Sequence, residues 1–301
     1  MLVRSFWILL VEMMSLIKEI EFVILKNTSS VSLTGNYCYL NCKHCGRHYL
    51  NNMARVKDIE DLVKKGFTSF LISGGLLEDR KVPITNFADT LYTLKTKYNL
   101  KYNVHTGYVD ESDIHVLKKI ADTVSFDLVG DQQTVKEVYG EFDYDKMWTS
   151  LELLVNNDFV VKPHITIGLN KGEFSHEQKA IEKLKKFGDR IDEIIFLVFI
   201  PTVGTEFYSY QPPKVAEVVS FLSRVRNDFS HKKLTLGCMH PKGKYREELQ
   251  TELLGIVNKI VQPIGKVIEK AERENFQISY SYECCAFSSN GRVGSGARGA
   301  I

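Results

Sequence analysis

Short runs dominated by apolar and β-branched residues alternate along this chain with longer stretches of helical period. Eight such runs stand out, at residues 30–34, 69–73, 101–105, 123–129, 162–168, 193–200, 233–238 and 259–262. Helical periodicity follows each one. The stretch 56–65 closes at Gly66 and the stretch 177–187 closes at Gly188, and a glycine just past the last periodic residue is the usual helix stop. The long helical stretch after Pro213 has its proline near the first turn, where a missing amide donor costs little. Strands alternating with helices in this way build a parallel sheet covered by helices. The count predicts an α/β fold, specifically a (β/α)8 TIM-type barrel. A partial (β/α)6 barrel is the alternative, because the last two strands are the shortest. No internal repeat is detectable.

The alternation divides the chain into an N-terminal extension or helix (1–29), a barrel domain (30–286) and a C-terminal tail (287–301). The tail holds Gly291, Gly294, Gly296 and Gly299 without an apolar period and reads as flexible. The N-terminal run from Phe6 to Val11 is too short for a bilayer, which takes about 20 apolar residues. Glu12 follows it with no small-residue cleavage site. It reads as an amphipathic helix under the barrel, or as residues ahead of a start at Met13 or Met14. Nothing else suggests a membrane or export, so a cytoplasmic protein is expected. With 301 residues and a formal net charge of +2, the chain is long enough for a barrel of about 250 residues and gives no electrostatic case for nucleic acid. Its six cysteines are clustered, which favours metal binding in a reducing cytosol over a disulfide framework.

Three of them form the run Cys38-Tyr-Leu-Asn-Cys42-Lys-His-Cys45, spaced C-x3-C-x2-C. Thiolates this close grip one soft metal centre, with zinc, copper(I) and iron–sulfur clusters as the choices. They supply one ligand fewer than a closed four-cysteine site needs, which leaves an iron open to a substrate or cofactor. Structural zinc is the alternative, with His48 completing a Cys3His set. The run begins just after the first predicted strand, so its loop lies at the C-terminal mouth, where barrel active sites are assembled. Gly74-Gly75, His105, Asp127, Gly168, Pro201 to Thr205 and Cys238 occupy other strand ends. Alternation places Asp127 on one face with Ser125 and Val129, and a carboxylate inside a barrel mouth requires a partner or a ligand. The remaining cysteines, Cys238 and the adjacent pair Cys284-Cys285, are either small buried apolar residues or a second set of metal ligands.

The cysteine run, with His44 at the aromatic position before the last cysteine, resembles the cluster loop of the radical S-adenosylmethionine (radical SAM) superfamily. The chain looks like its biotin synthase and lipoyl synthase branch. More narrowly it resembles archaeal-type biotin synthase-like proteins, some of which serve as half of a two-protein lipoyl synthase. That narrower likeness rests on residues 35–50, on Leu236-Gly-Cys-Met239 and on Cys284-Cys285. It implies that Cys38, Cys42 and Cys45 hold a [4Fe-4S] cluster whose open iron takes S-adenosylmethionine (SAM). SAM is then reductively cleaved to a 5′-deoxyadenosyl radical that abstracts hydrogen. It further implies cofactor contacts for His44, Gly74, Gly75, His105, Asp127, His164, Gly168 and Thr202. Leu76 stands where the family often carries glutamate after the two glycines. The branch implies sulfur insertion on an octanoylated carrier protein, with a second cluster on Cys238, Cys284 and Cys285 as sulfur source. The implied partners are an electron donor such as ferredoxin or flavodoxin, a second radical SAM protein and a lipoyl-carrier domain. Another radical SAM reaction, or a non-catalytic iron–sulfur partner subunit, is the alternative. The chain departs from lipoyl synthase in having no cysteine before Cys38, and from biotin synthase in having none in strands three to five.

Overall fold

The computed structural model describes residues 17–287; the predicted N-terminal helix and nearly all of the tail lie outside them. Ten strands form one sheet in which every paired neighbour is parallel. They are β1 (Glu19–Val23), β2 (Thr28–Ser32), β3 (Ser69–Ser73), β4 (Lys101–His105) and β5 (Thr123–Leu128), then β6 (Val161–Ile167), β7 (Glu193–Val198), β8 (Lys233–Leu236), β9 (Lys259–Val261) and β10 (Gln277–Ser281). The helices are α1 (Ile59–Lys64), α2 (Ala88–Tyr98), α3 (Glu111–Ile120), α4 (Gln132–Tyr139) and α5 (Tyr144–Asn156), then α6 (Glu177–Leu184), α7 (Val215–Asp228), α8 (Lys244–Glu252) and α9 (Gly265–Arg273). Each strand from β2 to β9 therefore leads into a helix, and β5 leads into two.

All eight expected strands are present, as the α/β barrel reading requires. The sheet order β10-β1-β9-β8-β7-β6-β5-β4-β3-β2 adds a difference. Two further strands stand where an eight-strand barrel would bring β9 back to β2. Glu19–Val23, read from sequence as part of the N-terminal extension, is thus a strand of the sheet. Only residues 24–27 join β1 to β2, which lie near opposite edges of the strand order. Four residues reach at most about 14 Å, so the sheet must curl until its edges meet. The seam is bridged there: the Asn27 N–H donates to the Tyr282 carbonyl at 2.9 Å, and the Cys284 N–H donates to the Thr28 hydroxyl at 2.7 Å.

The outward strand face carries the main core. Phe70, Ile72, Tyr102, Val104, Ile165 and Phe196 are buried there with helix residues such as Leu91, Leu117, Leu151, Ile181 and Leu222. An apolar outward face is what a sheet covered by helices demands. The inward face differs. A small apolar cluster of Val23, Ile195, Val261, Cys285 and Ala286 lies over a layer of buried charge. The Lys162 ammonium reaches Asp192 at 2.7 Å and Glu193 at 3.2 Å, and Lys259 reaches Glu193 at 3.0 Å. The Thr235 hydroxyl also donates to Glu193. Charges so deep are tolerable only when paired and hydrogen-bonded, and Glu193 is held from both sides.

Candidate active site at the strand ends

The cysteine loop leaves β2 and is fixed against three neighbours before it reaches the short 3-10 turn His48–Asn52. At the β3 end, the Tyr39 N–H donates to the Leu76 carbonyl at 2.7 Å, and the Leu76 N–H donates to the Cys38 sulfur at 3.3 Å. At α4, the Lys43 N–H donates to the Val138 carbonyl at 3.0 Å. Beyond β7, the Phe207 N–H donates to the Lys43 carbonyl at 3.0 Å, and the hydroxyls of Tyr49 and Thr202 bond at 2.8 Å. Gly75 explains why the loop crosses so close to β3. A Cβ on it would stand 2.0 Å from the Tyr37 carbonyl oxygen and 2.5 Å from Cys38 Cα, so only hydrogen fits. Gly74 lies against Leu33 and Thr34 of the same crossing. Thr202, nearly fully buried, accordingly braces the far end of the loop.

Cys38, Cys42 and Cys45 lie within one another's fields. Burial pushes the Cys42 thiol well up, and Cys45 and Cys38 add to the rise. Burial also raises Cys45, with Cys38 contributing. Two partly buried thiols held above their ordinary range are relieved by bound cationic iron, which deprotonates coordinating thiols outright. Among the described residues no three His, Cys, Asp or Glu side chains gather tightly enough for a single metal ion. A four-iron cluster takes one thiolate per iron and so spreads its ligands more widely than one ion does. His48 is exposed and packs edge-on against Tyr49; it does not complete an ion-sized Cys3His set. His44 is partly buried, faces Tyr139 at 5.7 Å between ring centres, and has its Nδ1 buried without a partner. Burial drives its pKa down to about 4. An unsatisfied ring nitrogen beside the thiols costs about 1–3 kcal/mol unless a ligand completes it, and the donor set as a whole fits an iron–sulfur cluster.

Three adjacent strands bring His105, Asp127 and His164 together below this loop. His105 Nδ1 stands 4.0 Å from an Asp127 carboxylate oxygen, and the His105 and His164 rings are 5.7 Å apart, centre to centre. Burial lowers the pKa of both imidazoles, that of His164 to about 4. His164 Nδ1 bonds the Lys162 carbonyl at 3.0 Å. Asp127 keeps 59% of its side chain exposed, so the expected inward carboxylate is open to the mouth. Gly168 has a packing reason for its identity: at φ +73° its missing Cβ leaves room for the Pro213 ring, otherwise 2.4 Å away. Its N–H donates to the buried Glu177 carboxylate at 2.7 Å.

The second cysteine set also converges, inside the barrel. Cys284 and Cys238 pack on the small inner cluster that contains Cys285. The adjacent Cys285 thiol, with the Ala286 N–H, the Asn103 amide and the Lys259 ammonium, lowers the Cys284 thiol to about 7. Asn103 Nδ2 stands 3.4 Å from the Cys284 sulfur, and the Lys259 ammonium donates to the Cys285 carbonyl at 2.9 Å. Burial raises Cys238 to about 11. Sequence reasoning missed Tyr49 as a brace and Asn103, Lys162, Glu193 and Lys259 as the inner polar layer. A signal existed for the last four: each is a polar residue within a strand, sharing the inward phase of His105, His164, Ile195 or Val261 at i+2.

No protein-family model matches the chain, and no curated protein matches it in sequence at the significance required. Solved structures do share its fold. Methylornithine synthase (PylB) superposes with a TM-score of 0.62 at 13% identity, over 86% of this chain and 83% of that one. The FeFe-hydrogenase maturase HydG from Carboxydothermus hydrogenoformans gives 0.65 at 14% identity, over 87% and 68%. Streptococcus suis SuiB, in a structure bound to S-adenosylmethionine, gives 0.52 at 17% identity over 68% of this chain; the match spans about half of SuiB, at 48%. At these identities the likeness is one of fold.

Proposed function

We propose that this chain is a radical SAM enzyme, with a [4Fe-4S] cluster on Cys38, Cys42 and Cys45 and SAM bound across the strand ends. The observation that carries this reading is the placement of the C-x3-C-x2-C run. It lies on the loop after the first strand of the eight βα units, at the barrel mouth, with Cys38 and Cys45 near enough to Cys42 to raise its thiol. Two things support it: the fold shared with the SAM-bound SuiB structure, and the partnerless His44 nitrogen beside the thiols. When bound, a reduced cluster supplies one electron for SAM cleavage. The chain's own part is to hold the thiols, orient the ligand and exclude water. Leu76 N–H and the Tyr49–Thr202 bond hold the loop, while the imidazoles of half-buried His105 and buried His164, both lowered by desolvation, line the approach. Anaerobically purified protein should contain iron and sulfide and release 5′-deoxyadenosine from SAM under reductant. The triple Cys38/Cys42/Cys45→Ala variant should release none above background, and release by that variant would overturn the assignment.

The finer reading is sulfur insertion into a carrier-bound octanoyl or similar aliphatic chain. It is favoured by the convergence of Cys238, Cys284 and Cys285 inside the barrel, where an auxiliary cluster would serve as sulfur source. A ferredoxin or flavodoxin as electron donor, a second radical SAM protein and a lipoyl-carrier domain are the partners this chemistry calls for, in the cytoplasm. No helix among the described residues is long and apolar enough to cross a membrane.

A further inference from the structure

Two partly or fully buried arginines of this chain are treated in opposite ways. Arg226 is saturated: its Nε, Nη1 and Nη2 groups donate to the carbonyls of Ile256, Phe229 and Lys232 and to the Asn258 side chain, at 2.6 to 3.1 Å. Arg246 is not. Among the described residues its one hydrogen bond runs from Nη2 to the His240 carbonyl at 3.4 Å, and its Nε is buried without a partner. No carboxylate among the described residues lies within 4 Å of it. Glu247, the acid of the same helical turn, is engaged by Lys266 at 2.6 Å. The His240 ring offers no acceptor either, since its Nδ1 is on the Gly237 carbonyl at 2.9 Å and its Nε2 on the Gln250 amide at 3.2 Å.

Arg246 stands in the first turn of α8, which follows β8 at the mouth, and helical side chains lean towards the helix N-terminus. Its guanidinium lies close enough to the Cys238 thiol for each to bias the other's charge. Cys238 in turn packs on the inner apolar cluster, with Val23, Ile195 and Val261. A cation beside an apolar interior suits an aliphatic chain with an anionic end. Burial disfavours the charged guanidinium, and a cation in a first turn opposes the helix dipole; a bound anion offsets both. Lys242 and Lys244 of the same loop are exposed, so one desolvated cation is left to balance one negative charge, and its planar fork matches a carboxylate. We propose that Arg246 binds the carboxylate of an aliphatic carboxylic-acid substrate whose chain enters the barrel beside Cys238. This rests on the reading that the mouth performs SAM-dependent chemistry on an aliphatic chain, and it narrows that chain to one carrying a free acid group.

The experiment is a cycle of two proteins and two probes, measured by calorimetry on anaerobic, unreduced protein with SAM present. Wild type and Arg246→Gln are each titrated with octanoate and with octanamide, which share chain and shape and differ in charge, so that the cycle cancels what depends on the chain alone. The wild type should prefer octanoate by about tenfold, the size of one hydrogen-bonded contact to a charged group. Arg246→Gln should abolish that preference while leaving iron content and SAM affinity unchanged. Arg246→Lys, which keeps the charge and loses the fork, should retain part of it, and the exposed control Lys242→Gln should retain nearly all. Equal affinities for the two probes in the wild type, or no octanoate binding, would overturn the proposal. So would a preference that survives Arg246→Gln, which would put the anion elsewhere. A loss of SAM affinity in Arg246→Gln would also overturn it, by assigning the arginine to SAM's own carboxylate. Wild-type protein that lacks iron yet keeps an Arg246-dependent preference would reject the cluster reading and support the carboxylate site.

Discussion

Single residues decide whether the mouth can hold the cysteine loop. Gly75 sits where any Cβ collides with the backbone of Tyr37 and Cys38, so Gly75→Ala should push the loop away from β3. The expected outcome is loss of most iron on anaerobic reconstitution, whereas Gly66→Ala, with open space at its missing Cβ, should keep it while losing about 1 kcal/mol to backbone strain. The resemblance implies SAM contact for both glycines; the close crossing of chain gives Gly75 a packing reason of its own. Glu193 makes the opposite kind of demand. Burial alone would raise its carboxyl, but Lys259 and Lys162 outweigh that and hold it below the ordinary range. A carboxylate lowered on folding contributes stability that is present above its unfolded pKa of about 4.3. That stability is lost as pH falls through the folded value. Lys259, raised mainly by Glu193 and Glu21 against its burial, contributes stability that is present below about pH 10.4 and is lost as pH rises through its folded value. Glu193→Gln should therefore cost about 3–5 kcal/mol near neutral pH, since it leaves two buried ammonium groups short of a partner. Chemical denaturation from pH 7 down to pH 3 should show the gap between variant and wild type closing; a constant gap would remove the ionic account.

At the scale of elements, the alternation of apolar runs and helical periods revealed every βα unit because each outward strand face must be apolar to lie under a helix. It did not reveal β1 as part of the sheet, because β1 is followed by a four-residue link and no helix. The cysteine run was legible for a different reason: its spacing is local, and three thiols in eight residues need no tertiary information. Its bracing was not legible, since Tyr49 and Thr202 lie 153 positions apart. That bond is testable. Tyr49→Phe removes a hydroxyl partner and should loosen the loop by about 1 kcal/mol. The readout is a faster loss of cluster absorbance in air at unchanged global melting temperature. An equal fall in melting temperature would mean that the pair supports the barrel as a whole and not the loop.

Across the whole molecule, the chain after β10 does what no short-range pattern could announce. It bridges the seam at Asn27 and Thr28 and then carries Cys284 and Cys285 into the barrel beside Cys238. Residues separated by 46 positions in sequence thereby share one interior site with an amide and an ammonium group directed at it. An ordinary buried thiol would not need the amide donor. The geometry also sets the condition for a second cluster: the turn that carries the adjacent Cys284 and Cys285 must let each thiol reach a separate iron. If it does, anaerobic protein should contain about eight irons per chain, four for each [4Fe-4S] cluster. The Cys38/Cys42/Cys45→Ala variant should keep about half of that iron, and Cys238→Ser should lose the other half while still cleaving SAM. Asn103→Leu, which removes the donor to Cys284, should weaken retention of the second set alone. About four irons in the wild type and none in the triple variant would leave one cluster at the mouth. The inner cysteines would then be a thiol pair, and the sulfur-donor reading would be rejected.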